Sequence, residues 1–180
     1  NLNMLVKGII DEDFINYKRP SMVIAFPKCD LKCDRECGRA VCQNSPLINE
    51  PDIEIGVDEL IKRYLSNPIT ESIVCAGLEP CDSIYSLYIL ISLLRSYPYN
   101  CNDDVVIYTG YSKEELKSKS FKKYNPKYYD YVNITSYYEE LKELGNVVIK
   151  YGRYIPDQKP HYDEVLGVYL ASDNQYAERL

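Results

Sequence analysis

The residues that set the arrangement of this chain run Ser21-Met22-Val23-Ile24-Ala25-Phe26-Pro27-Lys28-Cys29-Asp30-Leu31-Lys32-Cys33. The apolar run at their start predicts a buried strand that Pro27 ends. Four of the seven cysteines fall within residues 29–44, namely Cys29, Cys33, Cys37 and Cys42. Thiolates this dense, beside a buried strand and outside any disulfide scaffold, indicate a metal centre.

The composition is that of an ordinary globular chain. Its 180 residues suffice for a full-sized core, so we expect one domain over residues 1–180, with a lead-in over 1–20 and a cysteine loop over 27–46. The sequence predicts neither a membrane helix nor a signal peptide. An odd cysteine count without a secretion signal favours free thiols in the cytoplasm. The net charge of −6 argues against nucleic acid as a partner.

Strands and helices alternate along the chain. Beyond the first strand, the apolar pattern predicts strands at 72–76, 105–108, 147–150 and 165–170. Helices are predicted at 58–65, at 82–97, after Ser112 as a capping box with Glu115, and at 136–144, while residues 121–132 read as a loop. This alternation predicts βαβ units, an α/β fold and a mainly parallel sheet.

Three polar or glycine-containing loops follow predicted parallel strands. They are the cysteine loop, residues 77–80 and residues 109–111. Ligands bind at the carboxyl ends of parallel strands, so we expect these loops to converge on one rim and to serve a single cofactor.

The cysteine spacing leaves two kinds of metal site open. Structural zinc takes four tetrahedral thiolates, usually as two close pairs with a longer insert between them, and one short loop would strain to wrap a single ion. Three thiolates of an iron–sulfur cluster fit one loop better and leave an iron open to a ligand. The pattern favours the cluster, with a non-enzymatic zinc-binding module as the alternative. The other cysteines, Cys75, Cys81 and Cys101, are expected in the core.

Several motifs carry a family resemblance. Cys29-Asp30-Leu31-Lys32-Cys33 resembles the first half of the radical S-adenosylmethionine (radical SAM) signature, and Gly77-Leu78-Glu79-Pro80 is similar to the superfamily's Gly-Gly-Glu-Pro motif. Three further segments resemble the anaerobic ribonucleotide reductase activating proteins: residues 107–116 with Tyr108-Thr109-Gly110-Tyr111, residues 150–154, and residues 171–175. Together the motifs span residues 21–177 in the family's order.

The resemblance implies a partial (β/α) barrel of the radical SAM type, with a [4Fe–4S] cluster and S-adenosylmethionine as cofactors. The implied activity is that of a radical SAM oxidoreductase that generates a glycyl radical on a partner enzyme, an anaerobic ribonucleoside-triphosphate reductase, with an electron donor such as flavodoxin or ferredoxin. The implied cluster ligands are Cys29, Cys33 and Cys42, and the implied cofactor contacts are Val41, Gln43, Gly77, Glu79, Pro80, Thr109 and Asn174. A radical SAM enzyme for a small pterin-like or deazapurine-like molecule is the alternative.

The cysteine loop departs from the family signature, which has two residues between its second and third cysteines. Here Cys37 follows after three residues and Cys42 after eight. We favour Cys42 as the third ligand because Gln43-Asn44 matches the pair that follows the family's last cysteine. Apolar Val41 also suits packing against an adenine, whereas charged Glu36 precedes Cys37. Cys37 remains the alternative ligand.

A second departure is Leu78, which stands where the superfamily has its second motif glycine. That motif lines the methionine end of the cofactor largely through backbone groups, so a side chain that points away leaves it intact. Glu79 allows two interpretations: a cofactor contact, or a carboxylate stabilised by a helix N-terminus just before Asp82.

Overall fold

A six-stranded sheet organises the chain in the computed structural model, which describes residues 2–28, 44–125, 127–134 and 136–180. The chain begins with β1 (Asn3–Val6) and β2 (Gly8–Asp13). Four parallel strands form the centre of the sheet, in the spatial order β3 (Ser21–Phe26), β5 (Ser72–Gly77), β6 (Asp104–Tyr108) and β9 (Val147–Tyr151). The predicted α/β fold with a mainly parallel sheet is confirmed.

Both edges of this sheet are antiparallel. β2 pairs with β3 at one edge, and β12 (Tyr176–Arg179) pairs with β9 at the other. Over the described residues the sheet is open, because β2 and β12 do not pair with each other.

Helices cover one face of the sheet. They are α1 (Val57–Ser66), α2 (Ile84–Arg95), α3 (Lys113–Ser118) and α4 (Tyr137–Leu144). Their apolar side chains, such as Ile61, Leu87 and Leu141, are fully buried in one cluster with Ile24 and Ile107 of the sheet. Burial of this face supplies most of the driving force for folding. No helix in the described part of the chain is long and apolar enough to cross a membrane.

Local sequence signals set several helix ends as predicted. Ser112 and Glu115 form the capping box of α3, because each side chain accepts a hydrogen bond from the other residue's backbone N–H. Gly145 ends α4 with a φ of +79°, which suits a residue without a Cβ. The helix predicted from residue 82 begins later, because Pro80–Ser83 forms a 3₁₀ turn and α2 starts at Ile84.

The other face carries rows of side chains that run across the parallel strands. One row consists of valines, Val23, Val74, Val106 and Val148. The next row toward the carboxyl ends consists of Ala25, Ala76, Tyr108 and Lys150, in which Ala25 pairs with Ala76 and Tyr108 with Lys150. Tyr17, Leu166 and Leu170 pack on the valine row and complete a second apolar cluster.

In the part of the chain that the structure describes, three short antiparallel pairs lie outside the main sheet. β1 pairs with β4 (Ile53–Gly56), β7 (Phe121–Asn125) with β8 (Asp130–Ile134), and β10 (His161–Asp163) with β11 (Val168–Leu170). The loop predicted over residues 121–132 is therefore wrong. The segment forms a hairpin instead, in which Tyr124 pairs with Tyr131. The strand predicted over residues 165–170 is confirmed only over Val168–Leu170.

Candidate functional site

The loop after β5 is pressed against the end of β3. Gly77 has a φ of +85°, and a Cβ there would meet Ala25 Cα and Phe26 N at 2.7 Å, so only glycine fits without a backbone shift. The Leu78 N–H donates to Phe26 O (3.1 Å), and the Glu79 N–H donates to Lys28 O (2.6 Å). The residue just before Cys29 is thereby fixed beside the 77–80 loop.

The carboxylate of Glu79 joins the loop after β5 to the loop after β6. It accepts hydrogen bonds from the Thr109 hydroxyl (3.0 Å to each oxygen), the Gly110 N–H (2.7 Å) and the Cys81 N–H (2.9 Å). Glu79 is 8% exposed and Thr109 is fully buried. Loops after two neighbouring parallel strands therefore converge through one side chain.

Burial raises the pKa of Glu79 to about 7. The hydrogen bonds from Gly110, Cys81 and Thr109 pull that pKa down, but they do not offset the loss of solvation. A buried carboxyl group with a raised pKa, at the carboxyl end of a parallel sheet, is typical of a functional site.

The loop after β9 reaches the same rim. The Gly152 N–H donates to Tyr111 O (3.0 Å), and Arg153 forms a two-pronged ion pair with Glu115 (2.9 and 3.1 Å). Asn174, an exposed residue, donates from Nδ2 to Arg153 O (2.7 Å). The carboxyl end of the sheet thus brings together residues from the ends of β3, β5, β6 and β9 and from the segment around Asn174.

A lysine lies on the face of the sheet that leads to this rim. Lys150 is only 7% exposed, and its ammonium donates to Gly152 O (3.0 Å) and lies 5.7 Å from the centre of the Tyr108 ring. Lys150 was not identified as a site residue from the sequence. A single charged residue within the apolar strand Val147–Tyr151 could have indicated it, because lysine is rarely buried.

The predicted site residues divide into two groups. Gly77, Glu79, Pro80 and Thr109 come together at the rim, and Asn174 joins them through Arg153. Cys29, Cys33, Cys37, Cys42, Val41 and Gln43 lie outside the described residues. Within the described residues, no group of three or more His, Cys, Asp or Glu side chains is placed to hold a metal ion. Cys75 and Cys81 are buried and Cys101 is half-buried, in agreement with the core prediction.

Glu79 lies at the start of a helical turn. It is the residue before the 3₁₀ turn Pro80–Ser83, and its carboxylate accepts the Cys81 N–H of that turn. This matches the interpretation as a carboxylate stabilised by a helix N-terminus. The hydrogen bonds from Thr109 and Gly110 come from a different loop, and a helix N-terminus does not account for them.

Two rim interactions were not predicted. The Tyr111 hydroxyl donates to Asp82 Oδ1 (2.5 Å), and Arg153 pairs with Glu115. The partners are 29 and 38 residues apart in the chain, so no local pattern reveals them.

A cleft of about 240 Å³ lies next to the rim on the helix-covered side. Met4, Pro27, Lys28, Ser83 and Tyr85 are among the residues that line it. The cleft places open space beside the residue that precedes Cys29.

No protein-family model matches this chain, and no curated protein matches it significantly.

Proposed function

We propose that this protein is a radical SAM activase that generates a glycyl radical on a partner enzyme, an anaerobic ribonucleoside-triphosphate reductase or a close relative. The observation that carries the proposal is the meeting of three chain segments at one rim. Direct hydrogen bonds join the 77–80 loop to the 109–111 loop and to Lys28, the residue that leads into the cysteine-bearing segment. The cysteine-bearing segment and the 77–80 loop carry motifs that resemble those of the radical SAM superfamily, and the 109–111 loop resembles a segment of the activating proteins.

The architecture supports the finer fold assignment, a partial (β/α) barrel. Four parallel strands with helices on one face supply the strand and helix units of such a barrel. The other face carries the half-buried Ala25 and Ala76 near the carboxyl ends of β3 and β5. Two small side chains side by side leave room above the sheet for a ligand at this end.

The residues of this chain fit an iron–sulfur cluster by their donor chemistry. Cys29, Cys33 and Cys42 would hold it as three thiolates, with one iron left for S-adenosylmethionine. When bound, the cluster supplies the electron that cleaves S-adenosylmethionine, and the resulting radical removes a hydrogen atom from the partner.

The chain's own residues bind, orient and exclude water. By the family resemblance, backbone groups of Gly77 to Pro80 would line the methionine end of the cofactor, and Val41 and Gln43 would also contact it. Thr109 holds the neighbouring loop in place, and Asn174 closes the rim through Arg153. A general base is not required for hydrogen-atom transfer, which suits a chain with one histidine.

A protein partner suits this rim better than a small substrate. Over the described residues the sheet is open, because its two edge strands, β2 and β12, do not pair with each other. A loop of a partner enzyme would itself cover the site and exclude water when it binds. The low-potential electron would come from a flavodoxin or ferredoxin in the cytoplasm.

Anaerobic purification tests the cofactor. We expect brown protein with about four iron and four sulfide per chain, as a [4Fe–4S] cluster requires. Colourless protein that holds zinc would overturn the proposal in favour of a structural zinc module. Cys42→Ala should lose the iron while Cys37→Ala keeps it, and the reverse result would make Cys37 the third ligand.

Radical transfer tests the activity. A candidate reductase should gain a glycyl EPR signal only when this protein, a reductant and S-adenosylmethionine are all present. The Cys29→Ala variant is the control, because it should lack the cluster and give no signal. Cofactor cleavage without a glycyl signal on any candidate reductase would redirect the assignment to a small substrate.

A further inference from the structure

The two carboxylate oxygens of Glu79 are both engaged by the protein. Oε1 accepts from the Gly110 N–H (2.7 Å) and Oε2 from the Cys81 N–H (2.9 Å), and the Thr109 hydroxyl lies 3.0 Å from each. The side chain is almost fully buried at 8% exposure. A ligand could reach these oxygens only by displacing hydrogen bonds that fold the loops.

The hydrogen bonds continue beyond the carboxylate. Thr109 Oγ1 accepts from the Tyr111 N–H (3.1 Å) while its own hydrogen is directed at Glu79. The positions of three successive residues, Thr109, Gly110 and Tyr111, therefore depend on one carboxylate. Because Glu79 also donates its backbone N–H to Lys28 O, the same residue touches the ends of three strands.

Packing on the far side leaves this loop little freedom. A Cβ on Gly110 would meet Arg153 Cγ at 3.3 Å and Glu79 Oε1 at 3.5 Å, so the backbone passes between these two side chains. Arg153 is itself held by its ion pair with Glu115. Gly110 is therefore packed between the side chains of Glu79 and Arg153.

We propose that Glu79 is a positioning residue, whose carboxylate clamps the loop after β6 to the loop after β5 and leaves contact with the ligand to neighbouring backbone groups. The family resemblance implies a direct cofactor contact at this position, and the burial of both oxygens departs from that expectation. The link to ligand binding rests on the proposed function, whereas the clamp itself is a property of the protein without ligands.

The clamp makes a prediction that a direct contact does not. Thr109 would act on the ligand only through Glu79, so Thr109→Val should weaken S-adenosylmethionine binding to the reconstituted protein about tenfold, as Glu79→Gln does. The double variant should bind no more weakly than the weaker single variant, because both changes break one unit. Thr109→Ser keeps the hydroxyl and should restore affinity to within about twofold of the unmodified protein.

A second readout uses the protein without any cofactor. Amide hydrogen exchange over residues 109–111 should speed up about tenfold in Glu79→Gln and Thr109→Val and remain unchanged in Thr109→Ser. Tyr111→Phe is the matched control. It removes the hydrogen bond to Asp82 at the same rim but leaves the clamp, so exchange at residues 109 and 110 should not change.

Two results would overturn the clamp. One is unchanged exchange in both Glu79→Gln and Thr109→Val. The other is a loss of binding in Glu79→Gln that Thr109→Val does not share, because that pattern requires direct contact. If the unmodified protein binds no S-adenosylmethionine, the proposed function fails, and the exchange experiment still decides the clamp.

Discussion

The two ends of the parallel strands each hold a largely buried carboxyl group, and the two groups have different partners. At the amino ends, Asp104 accepts two hydrogen bonds from Arg179 (2.8 and 2.9 Å) and one from the Tyr17 hydroxyl (2.7 Å). At the carboxyl ends, Glu79 accepts hydrogen bonds from uncharged groups, the Thr109 hydroxyl and two backbone N–H groups. Asp104 is thus paired with a cation, whereas these donors to Glu79 carry no charge.

The pKa values follow from this difference. Burial by itself raises the pKa of Asp104, but the hydrogen bonds from Arg179 and Tyr17 outweigh it and hold the pKa below its ordinary value. Burial raises the pKa of Glu79 to about 7, and the uncharged donors do not reverse it. Charge pairing at the amino ends stabilises the fold, whereas the carboxyl ends retain a group whose ionisation costs stability. Such a cost is expected where residues serve a site.

Another feature of the amino ends is the guanidinium of Arg95. It donates to the backbone carbonyls of five residues that precede β6 and β9, namely Cys101, Asp103, Leu144, Gly145 and Asn146. One side chain thus satisfies acceptors from two loops. Arg95 and Arg179 thus hold the amino ends through charged groups, whereas Glu79 at the carboxyl ends accepts from uncharged donors.

The largest expected effect is the loss of Arg95. Arg95→Met keeps a long apolar stem but leaves the carbonyls without their donor, so we expect the free energy of unfolding to fall by about 4 kcal/mol. Urea denaturation at pH 7 measures it. Arg63→Met is the matched control, because Arg63 forms an exposed ion pair with Asp11 (2.7 Å), and its loss should cost under about 1 kcal/mol. Equal losses in the two variants would show that the amino ends do not depend on Arg95.

The next effect is the pH dependence caused by Glu79. Its pKa is higher in the folded protein, about 7, than its ordinary value of 4.5. The stability from this group is therefore full below pH 4.5 and is lost as the pH rises through 7. The loss amounts to about 3 kcal/mol. Urea denaturation at pH 5 and pH 8 should show a smaller decrease in Glu79→Gln than in the unmodified protein. An identical decrease would mean that Glu79 ionises normally.

The smallest expected effect comes from Asp104, with the opposite sign. Because its pKa is lowered on folding, its stabilising contribution is present at neutral pH and is lost as the pH falls through that pKa. Asp104→Asn should reduce the free energy of unfolding by about 1.5 kcal/mol at pH 7 and by much less at pH 3. Denaturation at the two pH values checks this, and an equal loss at both would place the effect in packing instead of charge.

The four parallel strands of the main sheet were predictable because each carries a local signal. The strand Ser21–Phe26 was predicted with its observed bounds, since a continuous apolar run between Pro20 and Pro27 leaves little choice. The capping box of α3 was equally visible. In contrast, the edge strand Tyr176–Arg179 has a mixed composition, and only its pairing with β9 makes it a strand.

The site was predictable only as far as its motifs. Gly77, Glu79, Pro80 and Thr109 were identified from the chain, and their meeting at one rim followed from the parallel sheet. The partners of Glu79 were not predictable, because Thr109 and Gly110 are 30 and 31 residues away along the chain. A carboxylate that contacts a ligand and one that folds a loop have the same sequence signature.

The row Ala25, Ala76, Tyr108 and Lys150 varies in side-chain size across the face of the sheet that is turned away from the helices. Side-chain size decreases from Lys150 on β9 and Tyr108 on β6 to Ala76 on β5 and Ala25 on β3, so the surface descends across the strands. The smallest side chains are the two alanines, and Ala25 on β3 stands two residues before Pro27 and four before Cys29. A flat ligand on this face would find the most room over β3 and β5, and β3 is the strand that leads into the cysteine-bearing segment.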